Sequence, residues 1–157
     1  MSNVRTRIEN IPMCTEGAGY ITIDGQNRKL FELSKLSATV EVKTWEKQLL
    51  GSRMEQGRAI GLKGSGSMSF YHMTSDFIDL LAEYKKTGVF PAITIQGYHD
   101  DPASEVGRLE VVLYHCILKK IPLLAIEEAA SETAPQDSDL IFGDYDILDK
   151  FKKPVSY

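Results

Sequence analysis

Residues 61–88 read GLKGSGSMSFYHMTSDFIDLLAEYKKTG, and the fold turns on how this stretch is punctuated. Gly61, Gly64 and Gly66 supply backbone freedom where a strand starts or a long loop closes. From Ser67 to Met73 the residues alternate, with Met68 and Phe70 on one face and Ser67 and Ser69 on the other, the period of a strand. Thr74 or Ser75 then offers a side-chain oxygen to an orphan N–H of a first helical turn. Asp76 stands where the helix dipole favours negative charge. Phe77, Ile78, Leu80, Leu81 and Tyr84 recur on one face at helical spacing. Lys85 and Lys86 suit the last turn, and Gly88 suits the position after it. The spacing predicts one short helix over about residues 75–86. The rest of the chain reads as sheet for that helix to pack against.

Upstream, residues 1–17 are polar and irregular, with Pro12 and Gly17 as punctuation, and read as an N-terminal arm. Tyr20–Ile23 and Lys29–Leu33 flank Asp24-Gly25-Gln26-Asn27, a hairpin signal because such a turn needs the positive φ that Asp and Gly tolerate. In Ser37–Thr44, Ala38, Val40 and Val42 alternate with Thr39, Glu41 and Lys43, a half-buried strand. Residues 45–63, WEKQLLGSRMEQGRAIGLK, carry Trp45, Leu49, Leu50, Met54 and Ile60 without a clean period of two, and read as a long loop. Two readings of that loop stand side by side: its apolar residues meet a partner, or the loop folds back on its own core.

Downstream, Pro91–Tyr98 reads as a strand with Ile93 and Ile95 inward, and His99-Asp100-Asp101-Pro102 as a turn. Glu105–Leu118 is a long strand whose far end, with Tyr114, Cys116 and Leu118 on the face opposite Leu113 and Ile117, predicts burial on both sides. Pro122 ends that strand, and Leu123–Ile126 resumes the sheet. Glu127–Asp139 is an acidic linker, Leu140–Leu148 a last strand, and residues 151–157 a tail. The expected architecture is mainly β with one flanking α-helix. It comprises about seven antiparallel strands in a sandwich or small barrel over residues 18–150.

A length of 157 residues fits one domain. Net charge of −4 argues against a protein that wraps nucleic acid, because phosphate binding wants clustered cations. Lys43, Lys47, Arg53, Arg58 and Lys63 do gather around Trp45, but Glu46 and Glu55 are interleaved and dilute the patch. No apolar run approaches the roughly 20 residues that span a bilayer, and the first residues lack the apolar core of a signal peptide. The expectation is a product made in the cytoplasm with no membrane anchor.

No catalytic, metal or cofactor-binding residues are expected. Of His72, His99 and His115, none pairs with another His or Cys at ligand spacing. Glu127 and Glu128 read as linker, not as an acid/base dyad. Asp137, Asp139, Asp144 and Asp146 lack the glycine and terminal Glu of an EF-hand. GSGSMS precedes a strand and lacks the Lys-Ser/Thr of a phosphate loop. Cys14 and Cys116 form no CxxC pair and predict no structural disulfide.

Three segments together resemble a known family: the hairpin ending in Asp24-Gly25, the block ATVEVKTWEKQLLGSRMEQGRAIGLKGSGSMSFYHMTSDFIDLLAEYKKTG, and the final SDLIFGDYDILDKF. Their order and spacing are similar to the XkdM-like tail tube proteins of contractile-tailed phages, defective prophages and phage-derived bacteriocins. The likeness covers roughly three quarters of the chain and is weakest in the N-terminal arm and the acidic linker. It implies a tube fold like that of type VI secretion tubes and a structural, non-enzymatic subunit. It also implies self-assembly into hexameric rings stacked into a tube inside a sheath. The implied partners are the tail sheath protein and baseplate, initiator and terminator proteins, with DNA free to pass the lumen without specific binding. Incorporation into a virion tail or tail-like particle follows. The resemblance gives residues 45–63 a role as an inter-ring contact through Trp45, Leu49, Leu50, Arg53, Met54, Arg58 and Ile60. The glycines of 61–66 would close that loop, and the helix would pack on a neighbouring subunit as well as on its own sheet. A tube initiator or terminator of the same fold, or a small β-sandwich ligand-binding module, are the rival readings.

Overall fold

The computed structural model describes residues 8, 11, 17–29, 33–71, 75–124, 126 and 135–152. Among them the order is β1 (Gly17–Ile23), β2 (Gln26–Lys29), β3 (Leu33–Gln48), β4 (Glu55–Phe70), α1 (Asp76–Thr87), β5 (Ile93–Asp100), β6 (Arg108–Leu118), β7 (Gln136–Phe142) and β8 (Asp144–Asp149). The expected fold class holds: antiparallel sheet with one helix. Most of the N-terminal arm, Cys14, His72, Thr74, Glu127 and Glu128 lie outside the described residues.

The strands run in the order β2-β1-β5-β6-β7-β4-β3, with β8 paired to β6. The path bends at β6, so that two layers face each other across the core. Isoleucines line one layer, where Ile21 is the register partner of Ile95 and Ile23 of Ile93. Met68, Leu140 and Phe142 line the other. Buried apolar faces of this kind supply about 25 cal/mol per Å² removed from water, which is what holds two twisted sheets together.

The β1–β2 turn forms as its residues dictate, with Asp24 at φ 51° and Gly25 at φ 81°. The helix obeys its punctuation too. Gly88 takes the left-handed conformation, φ 73°, and its N–H donates to Tyr84 O at 2.8 Å. Phe77 and Leu80 enter the core, Phe77 lying 5.0 Å from Phe70 ring to ring. Ser75 precedes the first turn without a side-chain cap bond. An ion pair from Arg28 Nε to Asp76 Oδ2 at 2.9 Å ties the helix to β2.

Several expectations are corrected. Residues 45–63 are not a long loop: β3 and β4 pair from Leu33–Phe70 out to Gln48–Glu55, leaving only residues 49–54 as connection. Both faces of the outer part are exposed, so no alternation of apolar and polar residues marks it as strand. Gly64 and Gly66 do not close a loop either. A Cβ on Gly64 would overlap the Phe142 ring, and one on Gly66 would overlap Ser37 O, so these glycines permit close approach between strands.

The far end of β6 is not buried on two sides. His115 takes φ 55°, and the register slips so that Leu113 opposes Ile95 while Cys116 opposes Ile93. This bulge turns the side-chain parity, and Leu113, Cys116 and Leu118 all enter one core. It also hands β6 from one layer to the other: residues 110–114 pair with β8, and Ile117 and Leu118 pair with β7. Finally, Leu140–Leu148 is two strands broken at Gly143, while Gln136–Asp139 belong to β7 and not to a linker. Leu123, Leu124 and Ile126 are exposed and lie outside any strand.

Candidate assembly surface

Beyond Gly64, where β7 stops pairing with β4, β3 and β4 continue as a two-stranded arm that projects from the body. Beyond that point β3 contributes residues 41–48 to the pairing, and eight strand residues span roughly 26 Å, which sets the reach of the arm. Its tip is closed by a turn in which Ser52 N–H donates to Leu49 O at 3.1 Å and Gly51 takes φ 85°, a conformation that favours glycine. Gln48 Nε2 donates to Ser52 O at 3.1 Å, and Ser52 Oγ to Met54 O at 3.1 Å, which stiffens the tip.

All seven predicted contact residues fall on this arm. Trp45 and Arg58 are register partners, so their side chains share one face. Leu49, Leu50, Arg53 and Met54 form the tip, and Ile60 is the extra residue where the register slips between Lys43–Gly61 and Thr44–Ala59. Exposure of the apolar ones runs from 47% at Leu49 through 56% at Trp45 to 75% at Met54, and Leu50 is entirely exposed. The loop that folds back on its own core is therefore excluded for these side chains. Strand pairing does not bring all seven onto one face; the tip residues stand apart from the Trp45–Arg58 pair.

The arm carries more than the sequence pattern offered. Val42 and Leu62 are partners on the face that continues the core, and both remain more than half exposed. Strand parity also sorts the charges. Lys43 and Lys47 share Trp45's face with Arg58, whereas Glu46 and Glu55 stand on the opposite face beside Thr44, whose hydroxyl donates to Glu46 Oε1 at 3.1 Å. Glu41 also stands on the Trp45 face, opposite Lys63, so what reads as a diluted patch along the chain is an aromatic face with four cations and one carboxylate, backed by an acidic one.

At the arm's base lies a groove of about 340 Å³ lined by Val40, Lys43, Leu62, Phe142, Asp144 and Tyr145. A second, polar groove of about 310 Å³ lies over β3, β4 and β7, where Ser37 and Ser67 hydroxyls lie 2.9 Å apart beside Thr39, Ser65, Lys119 and Asp139. Burial pushes the Cys116 thiol up to about 11 despite a backbone hydrogen bond that lowers it, so it stays protonated at neutral pH. Among the described residues no group of three or more His, Cys, Asp or Glu is placed to hold a metal ion.

Comparison with known proteins agrees with this picture. The family described as phage tail tube protein matches residues 5–149. The phage-like element PBSX protein XkdM of Bacillus subtilis (strain 168) is 29% identical over 132 residues, 84% of this chain and 88% of that protein. YqbM of the same organism, an uncharacterized protein, is 28% identical over 85% of this chain and 89% of its own length. Among solved structures, the fold is shared with a chain of the sheath-tube complex of an extracellular contractile injection system, PVC, in the extended state. There the TM-score is 0.63 and the identity 8%, over 91% of this chain and 98% of that one. A chain of the PVC sheath/tube terminator structure gives TM-score 0.62 and 7% identity over 83% and 93%. A chain of the anti-feeding prophage baseplate gives 0.61 and 12% over 94% and 97%. With a family match over nearly its whole length and the antiparallel fold to go with it, the chain belongs to the XkdM-like family of phage tail tube proteins.

Proposed function

We propose that the protein is the structural subunit of the inner tube of a contractile phage tail or tail-like particle, assembling as hexameric rings that stack. One observation carries the reading: the arm holds Trp45, Leu49, Leu50, Met54 and Ile60 in solvent on a stiff two-stranded support. Full burial of each such side chain is worth about 1.5–3 kcal/mol before ordering costs are subtracted. A second copy supplies that burial. Contacts of this head-to-tail kind are heterologous and generate rings or filaments. Family membership and the likeness to a chain of a sheath-tube complex support the same role.

In this role the partners are other copies of the chain, the tail sheath and the baseplate or initiator and terminator proteins. The particle incorporates the subunit after synthesis in the host cytoplasm, and DNA passes the lumen without specific binding. The work is mechanical and not enzymatic. A tube initiator or terminator of the same fold is the second reading, favoured by the likeness to a chain of a terminator structure. Electron microscopy and sedimentation of the purified protein at rising concentration, with and without the initiator, test both. Stacked rings are expected; a single ring that never elongates selects the second reading, and a strict monomer with initiator present overturns both.

A further inference from the structure

We propose that the basic face of the arm docks on the outer edge of β8 in a neighbouring copy, a contact that rests on the tube-subunit reading above. Among the described residues β8 pairs with β6 alone, and all six of its residues are exposed. Asp144 opposes Tyr114 and Asp146 opposes Val112, while Asp149 opposes Glu110. Three carboxylates thus follow one another along a free sheet edge, beside Leu148 and Tyr114, which are also exposed.

The carboxylates do more than carry charge. Tyr145 N–H donates to Asp144 Oδ1 at 2.8 Å, and Ile147 N–H donates to Asp146 Oδ1 at 2.9 Å. They occupy backbone donors that an added strand would otherwise take. An open edge pairs with any extended chain, and blocking it with charge is a known way to prevent that. A block made of carboxylates is selective: it yields to a partner that brings cations to compensate them.

The arm is such a partner. Lys47, Arg58 and Trp45 share its outer face; Glu46 and Glu55 are turned away, and Glu41 on the same face stands nearer the base, opposite Lys63. Lys43 and Lys63 already line the groove beside Asp144 of their own chain, so Lys47 and Arg58 are the cations of this face left to reach outward. The start of β8 lines the groove at the arm's own base, whereas Lys47, Trp45 and Arg58 lie farther out along the arm. A basic outer arm and an acidic edge at different places on one chain make a contact that repeats from copy to copy without using itself up. Complementary charge of this sort steers the encounter and sets the docking position.

Charge reversal tests the pairing. The Lys47→Glu/Arg58→Glu chain and the Asp144→Lys/Asp146→Lys chain are each expected to elongate at least about tenfold more slowly than wild type, and the chain carrying all four changes to recover most of that loss. Circular dichroism and urea midpoints confirm that each variant folds. A four-fold variant no better than either double one, or an Asp144→Lys/Asp146→Lys chain that elongates like wild type, overturns the contact while leaving the tube reading intact. Wild-type protein that forms neither rings nor tubes overturns both. Should an edge variant fail to fold, disulfide trapping decides. Arg58→Cys and Asp146→Cys chains, each in a Cys14→Ser background, are mixed during assembly. Crosslinks between the two chains support the contact, and their absence from formed tubes overturns it. Tubes that form normally from Lys47→Glu/Arg58→Glu chains, with lost retention of single-stranded DNA, assign the face to nucleic acid and overturn the proposal.

Discussion

Phe142 lays its ring directly on the backbone of Gly64, at the point where β7 leaves β4 and the arm departs from the body. The register makes the two residues partners, and only the missing side chain of glycine lets the ring lie there. Gly64→Ala should therefore force the ring aside and destabilise the monomer by about 1–3 kcal/mol. Urea unfolding followed by circular dichroism measures this; an unchanged midpoint would mean the ring moves freely.

The arm itself should be separable from folding. Trp45→Ala and Leu49→Asp remove exposed groups, and surface changes of this sort usually lie within about 0.5 kcal/mol. The expected outcome is an intact far-ultraviolet spectrum with polymerisation impaired, read by sedimentation. Collapse of the fold in either variant would place those side chains in the core.

Phe77 is the opposite case. It is buried and packs at a tilt against Phe70, joining the helix to the layer that carries the arm. Phe77→Ala should cost about 3–5 kcal/mol, seen as a lowered urea midpoint with loss of helical signal. A loss below that range would mean that Leu80 alone anchors the helix.

Cys116 predicts a pH dependence. Its thiol is pushed up from 9.0 to about 11 by burial. Between those values the unfolded chain has lost a proton that the folded chain keeps, so stability falls as pH rises through that window. The urea midpoint should drop between pH 9 and pH 11 more steeply for the wild type than for Cys116→Ala. Parallel slopes for the two proteins would sink this account.

Local chemistry made much of the fold legible. Asp24-Gly25 closes a hairpin wherever it stands between β-prone runs, and residues 76–88 carry their own start, apolar face and stop. That the apolar residues among the seven proposed for assembly lack an alternation to bury them was also legible, and all seven are exposed. Their conformation was not legible. An arm exposed on both faces has no inside to write a period of two into the chain, so pairing between Trp45 and Arg58 leaves no local trace. The bulge at His115 hid for a related reason: one residue at positive φ turns the parity of everything after it.

By itself, then, the chain determined where turns, helix and apolar faces fall, because those depend on neighbours a few residues away. Tertiary structure alone decided which residues share a face. Glu46 and Lys47 are adjacent in sequence and yet stand on opposite sides of the arm, because successive residues of a strand point to opposite faces. Only the paired strands turn a mixed run of charges into one basic and one acidic surface.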